Sequence, residues 1–315
     1  MNLSHAYSAP PPREVAESVL RTALDRGVTH FDSAALYGFG ANEELVGPFL
    51  KPHRAEVVLA SKGGMFRNAA GVREIDARPE TLRRMCDDSL KRLQTDVIDL
   101  YYLHRKDPKV PVEDSIGALS DLVRQGKVKA IGMSEVSGAT LRKAHAVHPI
   151  AAIQSEYSLW TRNPEIAVLD TCREIGIGFV AFSPLARGFL CCSLRNPAEE
   201  LEPRDIRRAM PRFAPENYAR NLQLLDAYGA IAAEAGCTWA QLALGWLLAK
   251  ETFIVPIPGT RHPSHVIENM EAADMKLAPS LVTRLDALIN EHTVAGNRYN
   301  EATQREIDTE NFTST

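Results

Sequence analysis

Short apolar runs alternate along this chain with longer segments in which apolar residues recur every three or four positions. A short run bounded by turn-forming residues predicts a strand, and the longer periodicity predicts a helix with one buried face. The runs predict seven strands, at residues 28–31, 57–61, 97–103, 130–133, 151–155, 178–182 and 253–257. The periodic segments predict helices near residues 13–25, 43–50, 79–93, 112–125, 139–146, 165–175 and 239–249. Such an alternation is typical of a parallel sheet built from crossover connections.

The alternation fits two arrangements of a parallel sheet. An open, doubly wound sheet that binds a dinucleotide would carry a G-x-G-x-x-G motif after its first strand, and this chain has none. We therefore expect an α/β fold of the closed (β/α)8 TIM-barrel type, as a single domain over residues 1–315. Such a barrel has eight strands, but only residues 1–12 precede the first predicted helix. We expect the first strand to be shortened or missing.

Four polar residues stand at or just beyond the ends of neighbouring predicted strands. Asp32 and Tyr37 follow the first of these strands, Lys62 follows the second and His104 follows the third. Because the carboxyl ends of parallel strands form the rim where barrel active sites lie, we expect all four at one mouth. They are the candidate catalytic residues.

These four residue types suit proton delivery to a carbonyl oxygen. A phenol with a pKa near 10 is a poor acid at neutral pH unless a nearby cation stabilises its phenolate, and Lys62 is the candidate cation for Tyr37. A lysine in a pocket needs a carboxylate such as Asp32 to remain charged. His104 would offer an imidazole N–H to the same carbonyl oxygen.

Composition narrows the possible partners. The chain has 315 residues, 45% hydrophobic and 24% charged, with a net charge of −4 and scattered basic residues, so we expect no nucleic-acid partner. Neither a membrane-spanning run nor a signal sequence is evident, which predicts a cytoplasmic protein. The five cysteines lack metal-ligand spacing, so we expect reduced thiols and no metal; a redox switch at Cys191 and Cys192 is the less favoured alternative.

The candidate residues lie in segments that resemble, in order, those of the aldo-keto reductase family. His30-Phe31-Asp32-Ser33-Ala34 with Tyr37-Gly38 is similar to the family segment that carries an aspartate and a tyrosine. Ala60-Ser61-Lys62 resembles its lysine segment, and residues 99–104 resemble its histidine strand. The resemblance continues through residues 131–134, 153–158, 182–185 and 257–261, and so covers nearly the whole chain.

The resemblance implies a barrel that binds NADPH and transfers hydride to an aldehyde or ketone. It makes Tyr37 the general acid, with Lys62 and Asp32 tuning it and His104 positioning the carbonyl. Ser134 and Gln154 match residues that hold the nicotinamide carboxamide, and Phe182 matches an aromatic residue that stacks on the ring. The remaining candidate cofactor residues are Ser183, Pro184, Leu185, Gly188, Gly259, Thr260, Arg261, His265, Glu268 and Asn269.

The predicted phosphate end can also be argued from physical chemistry. Gly259-Thr260-Arg261 leads into a helix expected to begin near Pro263, where free backbone N–H groups favour an anion. The guanidinium fork of Arg261 suits a 2′-phosphate, which favours NADPH over NADH. Two residues depart from the family pattern: many members have asparagine where Glu135 stands, and many have arginine where His265 stands.

The segments outside the strand–helix alternation do not identify the substrate. Residues 187–214 form a long, polar, irregular stretch, and loops of this length are often functional. An extra helix is expected near residues 216–234, and the tail after Gly296 resembles family segments that border the substrate pocket.

Two alternative functions remain open. A barrel aldolase or isomerase would use Lys62 as a Schiff-base nucleophile. A second alternative is a regulatory protein similar to the channel-associated members of the family, which would bind the cofactor with little or no turnover. A small carbonyl compound is the expected partner, and the sequence does not indicate the oligomeric state.

Overall fold

A computed structural model of the chain describes residues 1–7, 9–68 and 70–312. Its strands are β1 (His30–Asp32), β2 (Val58–Gly63), β3 (Met65–Arg67), β4 (Arg73–Ile75), β5 (Ile98–Leu103), β6 (Val128–Ser134), β7 (Ile150–Glu156), β8 (Gly178–Phe182) and β9 (Ile254–Ile257). The helices are α1 (Arg13–Asp25), α2 (Ala41–Leu50), α3 (Pro79–Leu93), α4 (Val112–Arg124), α5 (Gly138–Val147), α6 (Val168–Ile175), α7 (Pro197–Glu200), α8 (Pro215–Leu222), α9 (Leu225–Glu234), α10 (Trp239–Lys250), α11 (Pro263–Glu271), α12 (Pro279–Leu288) and α13 (Glu301–Gln304).

Seven of the strands form one parallel sheet in the order β1-β2-β5-β6-β7-β8-β9. Helices join consecutive strands of this sheet and cover its outer face, which gives a nearly closed barrel and confirms the predicted (β/α)8 fold class. The short strands β3 and β4 pair separately as an antiparallel hairpin after β2. The sequence pattern does not predict this hairpin.

The two edges of the sheet, β1 and β9, are connected at the rim by the first residues of the chain. Residues 1–7 form turns and bends, and a strand ahead of β1 is not among the described residues. The Asn2 amide donates to the carbonyl oxygen of Gly259, just after β9, at 3.2 Å. The Asn42 amide, at the start of α2, donates to the Ser4 hydroxyl at 2.8 Å.

The barrel interior is filled by alternate side chains of its strands. Ala60, Leu100, Tyr102, Ala152 and Val180 form one buried apolar cluster there, because residues two apart in a strand face the same side. Tyr102 fits only because its neighbour on β6 is Gly132. A Cβ on that glycine would lie 2.5 Å from the tyrosine ring.

Several predicted boundaries differ from the structure. The single helix expected at residues 216–234 is two helices, α8 and α9, because the amides of Gln223 and Leu224 bond to carbonyls three residues back and interrupt the α-helical ladder. The helix expected from residue 165 begins at Val168. Residues 187–214 contain short helical turns in place of a wholly irregular loop. None of the described helices is long and apolar enough to cross a membrane.

Candidate active site

The Lys62 side chain is fully buried near the carboxyl end of β2, one residue inside the strand where the sequence pattern had put it just after. Its ammonium donates to the Asp32 carboxylate on β1, to the Ser33 carbonyl oxygen at 2.8 Å and to the Tyr37 hydroxyl at 3.3 Å. Burial alone would lower the pKa of Lys62, but the adjacent carboxylate and hydroxyl outweigh it, and the pKa is raised. The structure therefore holds a charged ammonium against the phenol oxygen.

Tyr37 opens the helical turn Tyr37–Gly40 that follows β1, which brings its ring over the barrel mouth. Burial raises the pKa of the Tyr37 hydroxyl above its usual value of 10, while the Lys62 ammonium acts in the opposite direction. The ring packs edge-on to His104, with 6.0 Å between ring centroids. The phenol is thus kept protonated at neutral pH with a cation available to stabilise its anion.

His104 is the first residue after β5, and its backbone amide donates to the Gly63 carbonyl oxygen of β2 at 2.9 Å. Burial holds the pKa of the imidazole well below 6.5, and the positive charges of Arg105 and Lys62 act in the same direction. His104 is therefore a neutral imidazole. The four candidate catalytic residues come together at one mouth.

Three candidate cofactor residues lie at or near the carboxyl ends of consecutive strands next to this group. Ser134 ends β6 and lies opposite Gln154 of β7, and Phe182 ends β8. The Gln154 amide donates to the second oxygen of Asp32 at 2.8 Å, so the two sets of candidates share a hydrogen bond. The Ser134 hydroxyl accepts from Arg105 at 3.1 Å.

The other candidate cofactor residues lie in two segments on the same rim. Ser183, Pro184, Leu185 and Gly188 belong to the turn after β8, in which Ser183 and Gly188 have left-handed backbone conformations. The second segment comprises Gly259, Thr260, Arg261, His265, Glu268 and Asn269, after β9 and in α11.

The start of α11 has the features of an anion site. The N-cap residue His262 makes no side-chain hydrogen bond to the first turn of the helix, so that turn keeps backbone donors without a capping side chain. The Thr260 hydroxyl and His265 Nδ1 are 3.2 Å apart beside this turn. Within the described residues, the buried amide oxygen of Asn269 has no hydrogen-bond partner.

A buried ionic cluster on the opposite side of the mouth was not predicted. Arg298, from the C-terminal segment, donates to Glu135 at 2.6 Å and to Glu156 at 2.9 Å. Arg187 donates to the same Glu156 oxygen at 2.7 Å. Burial would raise the pKa of Glu156, but the two guanidiniums outweigh it and lower the pKa to about 2.

This cluster explains the departure at position 135. A carboxylate directly after the buried strand β6 requires a cation, and Arg298 supplies it from 163 residues further along the chain. The signal available in the sequence was the presence of acidic residues at the ends of two apolar strands, Glu135 after β6 and Glu156 in β7. That signal predicts a buried cation but does not identify it.

Comparison with known proteins agrees with this geometry. Residues 1–290 match the model of the aldo/keto reductase family. The chain is 41% identical over 300 residues to the probable aldo-keto reductase 1 of Glycine max, covering 95% of this chain and 86% of that protein.

Solved structures resemble the chain over most of its length. A glycerol dehydrogenase from Gluconobacter oxydans superposes with a TM-score of 0.84 at 26% identity, over 94% of this chain and 91% of that one. An aldo/keto reductase from Klebsiella pneumoniae, in complex with NADP and acetate, gives a TM-score of 0.69 at 27% identity, over 91% and 89%. The matched residues extend from the first turn to beyond α12, so the chain belongs to the aldo/keto reductase family.

Proposed function

We propose that this protein is an NADPH-dependent reductase that converts an aldehyde or ketone to an alcohol. The observation that carries the proposal is the contact between the Tyr37 hydroxyl and the Lys62 ammonium, 3.3 Å apart, with Asp32 bound to the same ammonium. This arrangement suits an acid that must be neutral before the reaction and anionic after it.

Tyr37 acts as the general acid in this proposal. NADPH, when bound, would supply hydride to the carbonyl carbon. The proton on the carbonyl oxygen comes from the Tyr37 hydroxyl, so the products are an alcohol, NADP⁺ and the tyrosinate of Tyr37. Burial raises the pKa of the phenol, and the Lys62 ammonium acts in the opposite direction and so makes the proton easier to release. Positioned acids of this kind contribute about 10²- to 10⁴-fold to a rate.

Lys62, Asp32 and His104 support the proton transfer. The Lys62 ammonium stabilises the tyrosinate that the transfer creates, and Asp32 keeps that ammonium charged in a buried position. The neutral His104 ring, edge-on to Tyr37, donates an N–H to the carbonyl oxygen and fixes its direction. We propose that these three are, with Tyr37, the catalytic residues.

The residues of the rim fit the cofactor. The uncapped start of α11, together with Thr260, Arg261 and His265, offers donors to the 2′-phosphate, and the unpartnered Asn269 oxygen offers an acceptor to the adenine amine. The middle and the adenosine end of NADPH would be held by the turn from Ser183 to Leu185, by Gly188, and by Gly259 and Glu268. Ser134, Gln154 and Phe182 would hold the nicotinamide. The similarity to the Klebsiella pneumoniae aldo/keto reductase in complex with NADP supports NADPH as the cofactor.

The Schiff-base alternative is disfavoured by the surroundings of Lys62. All three protons of its ammonium have acceptors in Asp32, Ser33 and Tyr37, and its pKa is raised, whereas a nucleophilic lysine requires a free amine. Borohydride in the presence of a carbonyl substrate should therefore leave no adduct on Lys62, as measured by peptide mass spectrometry.

The direct test measures cofactor binding and turnover on the same preparation. We expect NADPH fluorescence to change on binding and NADPH to be oxidised when small aldehydes are added. Tyr37→Phe should bind NADPH as the unaltered protein does and lose turnover. Binding without turnover for every aldehyde would overturn the reductase proposal and favour the regulatory alternative.

A further inference from the structure

Arg105 lies beside the proposed catalytic group but has no carboxylate partner among the described residues. Its Nη1 donates to the carbonyl oxygen of His104 at 2.7 Å and to the Ser134 hydroxyl at 3.1 Å, which are both neutral acceptors. Its Nε is buried, and no described residue accepts from it. The positive charge is close enough to favour the deprotonated form of both Tyr37 and His104, although burial raises the pKa of Tyr37 overall.

Three other arginines near the mouth have carboxylate partners. Arg298 contacts Glu135 and Glu156, Arg187 contacts Glu156, and Arg73 of the β3–β4 hairpin contacts Glu306 at 2.6 Å. A partly buried guanidinium with an unused donor has paid a desolvation cost that an anionic partner would offset. Arg105 is therefore the guanidinium at the proposed catalytic group that remains open to an anion from outside the chain.

A second cation stands further out at the same mouth. The Arg67 guanidinium carbon lies 3.9 Å from the centroid of the Phe39 ring, and Phe39 is 48% exposed. No carboxylate of the described residues lies within ion-pair distance of Arg67. The His5 ring lies between this pair and Tyr37. Its centroid is 6.1 Å from the centroid of the Phe39 ring and 5.8 Å from that of the Tyr37 ring. The pKa of His5 is lowered to about 4, chiefly by burial, so His5 adds no charge at neutral pH.

Resting on the proposed reductase function, we propose that the preferred substrates are aldehydes or ketones that carry a carboxylate, and that Arg105 binds this carboxylate. Arg105 is adjacent in sequence to His104, so a carbonyl held by His104 and Tyr37 would place a nearby carboxylate against the guanidinium. The fork of Arg105 suits a carboxylate. Arg67 would attract the same anion toward the mouth.

Two aldehydes of similar size test the inference. The carboxylate substrate is 4-carboxybenzaldehyde, and 4-nitrobenzaldehyde is the uncharged comparison. For the unaltered protein we expect a higher kcat/KM with the carboxylate, falling with added KCl, while the nitro compound responds little to salt. Arg105→Met should lower kcat/KM for the carboxylate about 10- to 100-fold relative to the nitro compound, the range expected for a charge-assisted hydrogen bond. Arg105→Lys should retain part of the preference.

Arg83→Met is the matched control, since Arg83 contacts Asp121 on the outside of the barrel, between α3 and α4. It should leave the ratio of the two kcat/KM values unchanged. An equal but partial loss of both activities in Arg105→Met, or a raised KM for NADPH with the ratio unchanged, would overturn the inference and make Arg105 a cofactor-positioning residue.

Failure of the inference and failure of the reductase proposal give different results. If neither aldehyde is reduced by the unaltered protein, the proposed function has failed. If both are reduced without a preference for the carboxylate or a salt effect confined to it, only the substrate inference has failed. If Arg105→Met is inactive toward both aldehydes, two other results test the inference. A salt effect confined to the carboxylate aldehyde, with a partial carboxylate preference in Arg105→Lys, supports it, and the absence of both overturns it.

Discussion

Two groups of buried charges face each other across the mouth of the barrel, and they are built differently. On one side, the ammonium of Lys62 is balanced by Asp32 and also contacts the neutral hydroxyl of Tyr37. On the other side, Glu135 and Glu156 are held by Arg298 and Arg187, and each charged group bonds to an opposite charge. The first group includes a proton that can leave. The second group also includes a phenol, but the Tyr299 hydroxyl donates its proton to the Glu156 carboxylate at 3.3 Å, so a negative charge holds that proton in place.

The difference assigns proton transfer to the first group and structural support to the second. Proton transfer requires a group whose two protonation states are both tolerated, and the Tyr37–Lys62 contact provides that. The Glu135–Glu156–Arg298 cluster ties the C-terminal segment to the ends of β6 and β7, next to Ser134 and Gln154. Removing a member of the first group should therefore reduce activity, while removing a member of the second should reduce stability.

The largest effect is expected from Tyr37→Phe. This change removes the proton but retains the ring and its edge contact with His104, so kcat/KM should fall about 10²- to 10⁴-fold. The measurement is NADPH oxidation, with urea unfolding as the control. A loss of stability comparable to the loss of activity would show that the two charged groups do not differ as argued.

Arg298→Met should destabilise the protein by about 3–5 kcal/mol in urea unfolding, because Glu135 and Glu156 lose a buried guanidinium. Adding Glu135→Gln should recover part of the loss, since one unpaired carboxylate is then removed. The exposed pair Arg284–Glu234 is the matched control, and Arg284→Met should cost less than about 1 kcal/mol. Equal losses for Arg298→Met and Arg284→Met would contradict a supporting role for the cluster.

Glu156 should produce a dependence of stability on acid pH. Its pKa in the folded protein is lowered to about 2 from 4.5, so its contribution is present above the unfolded value. That contribution, on the order of 3 kcal/mol, is lost as the pH falls from near 4.5 toward 2. Urea midpoints measured through this range should fall steeply for the unaltered protein and less steeply for Glu156→Gln. Parallel slopes would show that other carboxylates dominate acid unfolding.

The smallest effect concerns His104. Because burial holds the pKa of its imidazole well below 6.5, the profile of kcat/KM against pH should show no change near pH 6.5. The only change expected above neutral pH is a loss at alkaline pH as the Tyr37–Lys62 pair gives up a proton. An acid or base limb near pH 6.5 that disappears in His104→Gln would mean that the imidazole titrates near that pH in the free protein and is not held neutral by burial.

Much of the first charged group could be predicted from the sequence. Asp32, Lys62 and His104 each stand at the end of an apolar run, and parallel strands adjacent in sequence place such ends side by side. The second group could not be assembled in this way. Arg298 lies in a polar tail with no periodic pattern, and its contacts depend on how that tail crosses the mouth after α12.

The sequence pattern likewise could not predict the hairpin of β3 and β4 or the division between α8 and α9. The two hairpin strands have three residues each, too short for alternation to identify them. The break at Gln223 and Leu224 carries no glycine or proline, so nothing local marks it. Arg105 was also overlooked, because an arginine after a strand is ordinary until its partners are known.

The sequence alone determined the alternation of strands and helices, and with it the common rim on which Asp32, Tyr37, Lys62 and His104 meet. These depend on local periodicity and on the rule that successive parallel strands are neighbours. Only the tertiary structure decided which charges are compensated: Glu135 by Arg298, and Arg105 by no described carboxylate. The physical reason is that burial and charge pairing depend on side chains far apart in the chain, and their distances are set by the packing of the whole fold.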